Sequence, residues 1–390
     1  MHFAFPTRAV GRRTRAADSP PRVSCLWPAA AVLGALVGAI APTQAAAQSS
    51  VNITGLIDGG VSYVSNQGGH ANTRFDDGIG RPNLLVFVGR EDLGDGMAAV
   101  FRLENQYMLG TGTFIPQQSL FTRQAMMGLD LGKAGKLTLG KQYDFMVDSL
   151  FFGENDGASM FGAGLYSFRA GPFTKLALPQ NPTGAMDWDR IGGDSALPNT
   201  VKYTSPNVGG FSGGVMYGFG GVAGSIGANN STSAGLNYAN GPFGAGAAYT
   251  NAKYDDGGMQ VSVRTWGVGA HYAAGAFHTS VLFTTVHNSA NGGGIWSAQI
   301  AERYQITPAW SVAGAYAYLL GNEFLGRNHA HQLSAALNYA FSKRTSVYLS
   351  GAWQVANQGA NAQINGLAGP DAASSTSSQA IVRIGMMTFF

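Results

Sequence analysis

From residue 48 onward the chain falls into segments of about ten residues in which apolar and polar positions alternate with period two, the periodicity of extended strands whose successive side chains point to opposite faces. His329 to Phe341 shows it best. Leu333, Ala335, Leu337, Tyr339 and Phe341 share one face, and Gln332, Ser334, Ala336 and Asn338 share the other. In Ile295 to Tyr304, Trp296, Ala298, Ile300 and Tyr304 alternate with Ser297, Gln299, Ala301 and Arg303. Thr345 to Trp353 sets Val347, Leu349 and Trp353 against Ser346, Tyr348 and Ser350. No stretch beyond Ala47 is apolar for the roughly 18 residues that a transmembrane helix requires.

The connections alternate in length. Short turns read Asp92 to Gly96, Asp130 to Gly135, Ser205 to Gly210, Asn240 to Pro242, Ala273 to Gly275, Thr307-Pro308 and Ser342 to Arg344. Longer polar loops fall near 65–80, 108–119, 143–198, 220–230, 255–258, 288–293, 321–328 and 357–377. Seven turns and eight loops predict sixteen antiparallel strands. An even number returns both chain ends to one side, so the first strand (51–64) pairs with the last (379–390) and leaves no open edge. Alternation by itself does not say which face points inward. Aromatics at strand ends, among them Trp310, Tyr339, Phe341, Trp353 and Phe390, fit interface girdles around an outward apolar band. The prediction is an all-β transmembrane barrel, wide enough at sixteen strands to enclose water.

Composition agrees. Gly contributes 56 residues and charged side chains only 12%, which disfavours disorder and helix-rich folds and suits strands with tight turns. The N-terminus reads as an export signal. Arg8, Arg12, Arg13, Arg15 and Arg22 precede the apolar stretch Leu26 to Ala41, and Ala45-Ala46-Ala47 offers small residues for a cut after Ala47. The apolar run is too short for a spanning anchor. The signal spans residues 1–47 and residues 48–390 form the barrel domain. That segment holds five arginines and one aspartate (Asp18), so the full chain's 24 basic and 21 acidic residues become 19 and 20 without it. The near-neutral remainder removes the case for nucleic-acid binding. The one cysteine, Cys25, leaves with the signal, and no disulfide is expected.

Several blocks resemble the Gram-negative general porins of the betaproteobacterial branch. Gln48 to Asp58 is similar to their opening strand, and Gly89 to Glu104 to their first periplasmic hairpin. Leu120 to Leu129 and Leu139 to Asp144 resemble the strands leading into the long third loop, Val201 to Phe211 with Tyr217 to Phe219 the stretch beyond it, and Phe390 the usual terminal phenylalanine. The chain departs from the pattern at Leu84, where the family carries arginine, and in the apolar ending Met386 to Phe390. The resemblance implies a homotrimer in outer-membrane lipid and lipopolysaccharide, assembled by the barrel-assembly machinery through the last strand. It also implies passive passage of ions and small hydrophilic solutes, with no cofactor, metal or catalytic residue.

A wide barrel that discriminates between solutes needs a constriction, and the long loop 143–198 is the candidate. It carries Asp144, Asp148, Glu154, Asp156, Asp187 and Asp189. In the family, loop acids face basic side chains on the wall, and the charge balance sets ion preference. Parity along Met97 to Tyr107 puts Arg102, Glu104 and Gln106 inside, and parity along Thr200 to Thr204 puts Lys202 inside. Arg264, Arg303 and Arg383 also fall on inward parity as pore-lining residues. Arg123 resembles a wall position of the family, although alternation groups it with Phe121 and Leu129. Arg190 resembles the arginine that ends the family's third loop. These charges imply a weakly anion-selective or nearly unselective pore. Phe145, Phe151, Phe152, Phe161, Tyr166 and Phe168 keep open a substrate-specific channel with its binding site in that loop. Gly218 to Ala223 fits a dinucleotide fingerprint, yet Gly224 to Ser231 supplies no helix to receive a pyrophosphate. His329 and His331 share a strand face without a third ligand and read as rim residues rather than a zinc site.

Overall fold

The computed structural model describes residues 50–114, 119–151, 170–179, 187–364 and 372–390. The export segment with its cut after Ala47, Glu154 and Asp156 lie outside them. Among the described residues, seventeen strands make a single antiparallel sheet. They are β1 (Ser50–Gln67), β2 (His70–Asp77), β3 (Leu84–Gly94), β4 (Met97–Gln106), β5 (Gln124–Asp130), β6 (Lys136–Gln142), β7 (Leu197–Thr204), β8 (Phe211–Gly218) and β9 (Ser231–Asn240). Then follow β10 (Phe243–Asp256), β11 (Met259–Ala274), β12 (Phe277–Asn288), β13 (Gly294–Gln305), β14 (Trp310–Gly321), β15 (His329–Ala340), β16 (Thr345–Ala356) and β17 (Ser378–Phe389). Helix α1 (Phe145–Leu150) follows β6.

Sixteen staves close the barrel, because β2 and β3 are two pieces of one. The far half of β1 pairs with β2, from Gly59↔Asp77 to Gln67↔His70, and its near half pairs with β3, from Ser50↔Arg90 to Leu56↔Leu84. Residues 78–83 bulge between the pieces. On its other side β1 pairs with β17, from Leu56↔Phe389 to Val64↔Ile381, which seals the seam. The expected loop at 65–80 is therefore corrected to a tight Gly68-Gly69 hairpin followed by β2.

The side chains invert the pattern of a soluble protein. Ile300, Leu333 and Ile384 are 52%, 51% and 64% exposed, while Thr265, Thr284 and Gln354 are at 0%, 1% and 0%. Apolar groups this exposed in a closed sheet belong against hydrocarbon. Aromatic contacts ring the outer wall at two heights. Near the short turns lie Phe211–Tyr238, Phe277–Tyr304 and Trp310–Tyr339. Nearer the loop end lie Trp266–Phe283, Phe283–Trp296 and Trp296–Tyr318. On β13, Trp296 and Tyr304 stand about 27 Å apart along the strand, or about 20 Å along the normal for a tilted strand. That separation approaches the height of an outer-membrane apolar band, about 25 Å. His329 and His331 sit on this outer face, the latter 2.7 Å from the Tyr316 hydroxyl.

The interior is less uniformly polar than the alternation predicts. At the loop ends of β11 to β16 the inner face carries Val263, Val286, Ile295, Leu319, Ala330 and Ala356, all buried. Phe173, Leu176 and Trp188 from the long loop, with Ala360 and Ala362 from the last loop, pack against them. Removal of these apolar surfaces from water is what holds loop to wall there. Polar bonds add direction. Gly171 donates to the Gln363 carbonyl at 2.6 Å, Asn288 Nδ2 to the Leu176 carbonyl at 2.9 Å, and Thr284 Oγ1 to Asp189 at 2.9 Å.

Candidate constriction site

The site is built where β6 runs into α1. Asp144 caps the helix by accepting from the Met146 amide at 3.0 Å, satisfying one of the orphan donors of a helix start. Phe145, Met146 and Leu150 then bury against β8 to β12. The wall is cut back to receive them. A Cβ at Gly214 or at Gly235 would come within 2.6 Å of the Phe145 ring, and one at Gly267 within 2.8 Å of Leu150 Cδ1. Gly235→Val is thus expected to displace α1 and change single-channel conductance while the strand ladder persists; an unchanged conductance would show that this seat does not shape the pore.

Around α1 the charges meet in pairs. Arg102 grips Glu104 with Nε at 2.8 Å and Nη2 at 2.6 Å. The buried Glu104 also accepts from the Tyr143 hydroxyl at 2.5 Å. Burial pushes the Tyr143 phenol up, so it stays a donor. Arg123 reaches Gln106 at 2.6 Å, the Gly192 carbonyl at 2.9 Å and Asp194 at 2.7 Å. Gly193 is required here: its φ is +76° and a Cβ would stand 2.8 Å from the Tyr143 ring. Arg190 pairs with Asp144 through Nε. Burial works against the Arg190 cation, but the Asp144 carboxylate more than offsets it and raises the guanidinium above the ordinary arginine value. Lys202 bonds Asp148 and the Tyr143 carbonyl, the latter at 2.9 Å, with Nζ 4.8 Å from the Phe145 ring centre. Asp187 accepts from the Gly192 amide at 2.7 Å and the Asp194 amide at 3.0 Å, bracing the loop's return.

The structure thus brings Arg102, Glu104, Arg123, Asp144, Asp148, Arg190 and Lys202 into one inner belt. Their arrangement differs from a free ladder of cations facing free acids. Arg123, Arg190 and Lys202 are almost wholly buried and pin the loop to the wall. Of these seven, only Arg102 and Asp148, each with 34% of its side chain exposed, offer charge to water.

Two pore-lining assignments are corrected. Arg264 is exposed on the outer face with Trp266 and Val268, because the inner positions of β11 are Val263, Thr265 and Gly267. Alternation misplaces it because the apolar side of this strand end faces the docked loop. Arg383 does point inward, yet at 1% exposure it lines nothing. It bonds Tyr348 at 2.8 Å, the Asp76 carbonyl at 2.9 Å and Asp58 at 3.3 Å. Asp58 in turn accepts from Tyr348 at 2.5 Å and from the Gly80 and Arg81 amides of the bulge. Arg303 stays on the inner face. Arg123 lies inside because the bend at 120–123 breaks the alternation that would have put it outside. Sequence reasoning missed Tyr143 and Asp194, whose only signal was their position at the loop's two roots.

The sequence profile of the Gram-negative porin family matches residues 29–359. The chain belongs to this family of Gram-negative porins. An outer membrane porin protein of Bordetella pertussis is 31% identical over 49% of this chain, a match that spans 47% of the relative's own length. The major outer membrane protein P.IB of Neisseria meningitidis is 28% identical over 83% of this chain and 93% of its own. The anion-selective porin from Comamonas acidovorans superposes with a TM-score of 0.73 at 23% identity, covering 88% of this chain and 100% of that one. The porin is accordingly an outer-membrane channel protein and not an enzyme.

Proposed function

We propose that the porin is a general diffusion channel for ions and small hydrophilic solutes, narrowed by the long third loop and weakly anion-selective or nearly unselective. The observation that carries this is the pairing of charges at the belt: among the described residues each buried cation has its carboxylate, and the two partly exposed charges, Arg102 and Asp148, are themselves paired with Glu104 and Lys202. A field from one cation and one acid of equal exposure orients dipolar solutes without strongly rejecting either ion sign. The solved relative described as anion-selective leans the same way. Reversal potentials in a salt gradient across planar bilayers test it; a strong cation preference would refute it. Arg102→Ala should lower the anion preference without preventing insertion, and unchanged selectivity would remove Arg102 from the role.

The exposed apolar wall suits outer-membrane lipid and lipopolysaccharide, and a homotrimer inserted by the barrel-assembly machinery through the strand ending at Phe390 completes the proposal. A substrate-specific channel loses the support of Phe145, buried against the wall, and of Phe151, buried within the loop; Phe152, Phe161, Tyr166 and Phe168 lie outside the described residues.

A further inference from the structure

Three glutamines stand side by side on the inner wall near the loop end: Gln332 on β15, Gln354 on β16 and Gln379 on β17, each directly opposite the next in the ladder. They face the bore, because Leu333, Trp353 and Val382 on the same strands are half exposed on the outer wall and successive side chains alternate. A side chain on the wall of a water-filled barrel is buried only where something covers it, yet these are 6%, 0% and 2% exposed. The cover is the last loop, described over 357–364 and 372–377. Gln354 Oε1 accepts from the Gln363 amide at 2.8 Å, while its Nε2 donates to the Gln363 carbonyl at 3.2 Å and to Gln332 Oε1 at 2.9 Å. Gln379 Oε1 accepts from the Ile364 amide at 2.8 Å, while its Nε2 donates to the Ala372 and Asn66 carbonyls at 2.8 Å and 2.7 Å.

A glutamine amide carries the donor and acceptor of a peptide group. The row therefore does for the loop what a neighbouring strand does in a sheet, satisfying main-chain groups that burial would otherwise orphan. Ile364, 1% exposed, is seated alongside against Val64, Ile79, Ala352 and Ile381. The last loop passes this hold on. The Gly171 amide donates to the Gln363 carbonyl at 2.6 Å and the Ala170 amide to the Ile364 carbonyl at 3.4 Å. The long loop is thus bonded to the same two residues that the glutamines grip. Ala360 and Ala362 of the last loop also share one apolar cluster with Phe173, Leu176 and Trp188 of the long loop. Through Gln363 and Ile364, the chain of contacts runs from glutamine row to last loop to long loop.

We propose that Gln354 and Gln379 are positioning residues of the constriction: they fix the last loop to the wall, the last loop fixes the long loop, and the two loops narrow the bore as one body. This rests on the channel reading. Each glutamine acts on pore width through the backbone of Gln363 and Ile364, not by touching a passing solute. Release at either layer frees the same assembly. Loosening the long loop at Trp188 and loosening the last loop at the glutamines should therefore open the bore to one common state.

The test reads single-channel conductance in planar bilayers and the size limit for neutral sugars in liposome swelling, with heat-modifiability on gels as the check of a closed barrel. Gln354→Leu/Gln379→Leu removes both amides from the full-length porin. Ile364→Asp drives the last loop off the wall from its own side without altering a strand. Each should raise conductance by about twofold and admit larger sugars, with the barrel intact. Adding Trp188→Ala to the glutamine pair should leave conductance near that twofold and not carry it to about fourfold. Should the glutamine pair fail to close a barrel, Ile364→Asp carries the same comparison, alone and with Trp188→Ala. Unchanged conductance and sugar limit overturn the proposal. So does a combined variant that shows the product of the single effects, since the two loops would then narrow the bore independently. A wild-type protein that passes neither current nor sugar would instead overturn the channel reading.

Discussion

Replacing Trp188 with alanine is expected to raise single-channel conductance by about twofold while the barrel remains folded. Trp188 is 1% exposed and joins the loop to Val263, Val286, Ile295 and Leu319 on the wall. Truncating a buried tryptophan costs about 3–5 kcal/mol. Trp188 belongs to no strand ladder, so that loss falls on docking of the loop and not on closure of the barrel. The loop's root, pinned by Arg190–Asp144 and Arg123–Asp194, should hold, and the wider state should therefore be a partial undocking. Conductance traces together with heat-modifiability on gels check both halves of the expectation. An unchanged conductance would mean that the segment around Trp188 does not narrow the bore.

Asp58→Ala should weaken the barrel itself. It leaves Arg383 buried beside Tyr348 with its carboxylate partner gone, and breaking a buried pair in this way costs about 3–5 kcal/mol. The residues concerned lie on β1 and β17, the two strands that close the ring, and Asp58 also holds the bulge at Gly80 and Arg81. The temperature at which the folded gel species converts to the unfolded one should drop clearly. The paired change Asp58→Ala/Arg383→Met should recover most of that drop, since it leaves no unpaired charge. If the single and the paired variants unfold alike, the network is not what secures the seam.

The barrel was legible because its cause is local. A lipid-facing strand must alternate, and its short turns carry Gly, Pro and Asn at positions that the chain makes plain. Sixteen staves followed from the turns even though one supposed loop was a strand: His70 to Asp77 carries Phe75 as its one large apolar side chain, so little in its pattern separates strand from loop. The wall charges were legible as to side where the strand was regular and its inner face polar, as at Arg102 and Lys202. Arg264 failed because the inner face turns apolar where the loop docks, which reverses the rule that apolar means outward. Whether an inward charge meets water was not legible at all. Arg383 and Asp58 are 325 positions apart in sequence, and only closure of the ring makes them a pair. The same holds for Gly214, Gly235 and Gly267, whose shared purpose appears once α1 is seen lying across them.

A water-filled bore that passes small polar solutes by diffusion shows itself in liposome swelling. Proteoliposomes carrying the purified porin should admit sugars, amino acids and organic acids at rates that fall smoothly with solute size and do not saturate with concentration. Rates that saturate for one solute class, or no swelling with any of them, would contradict it.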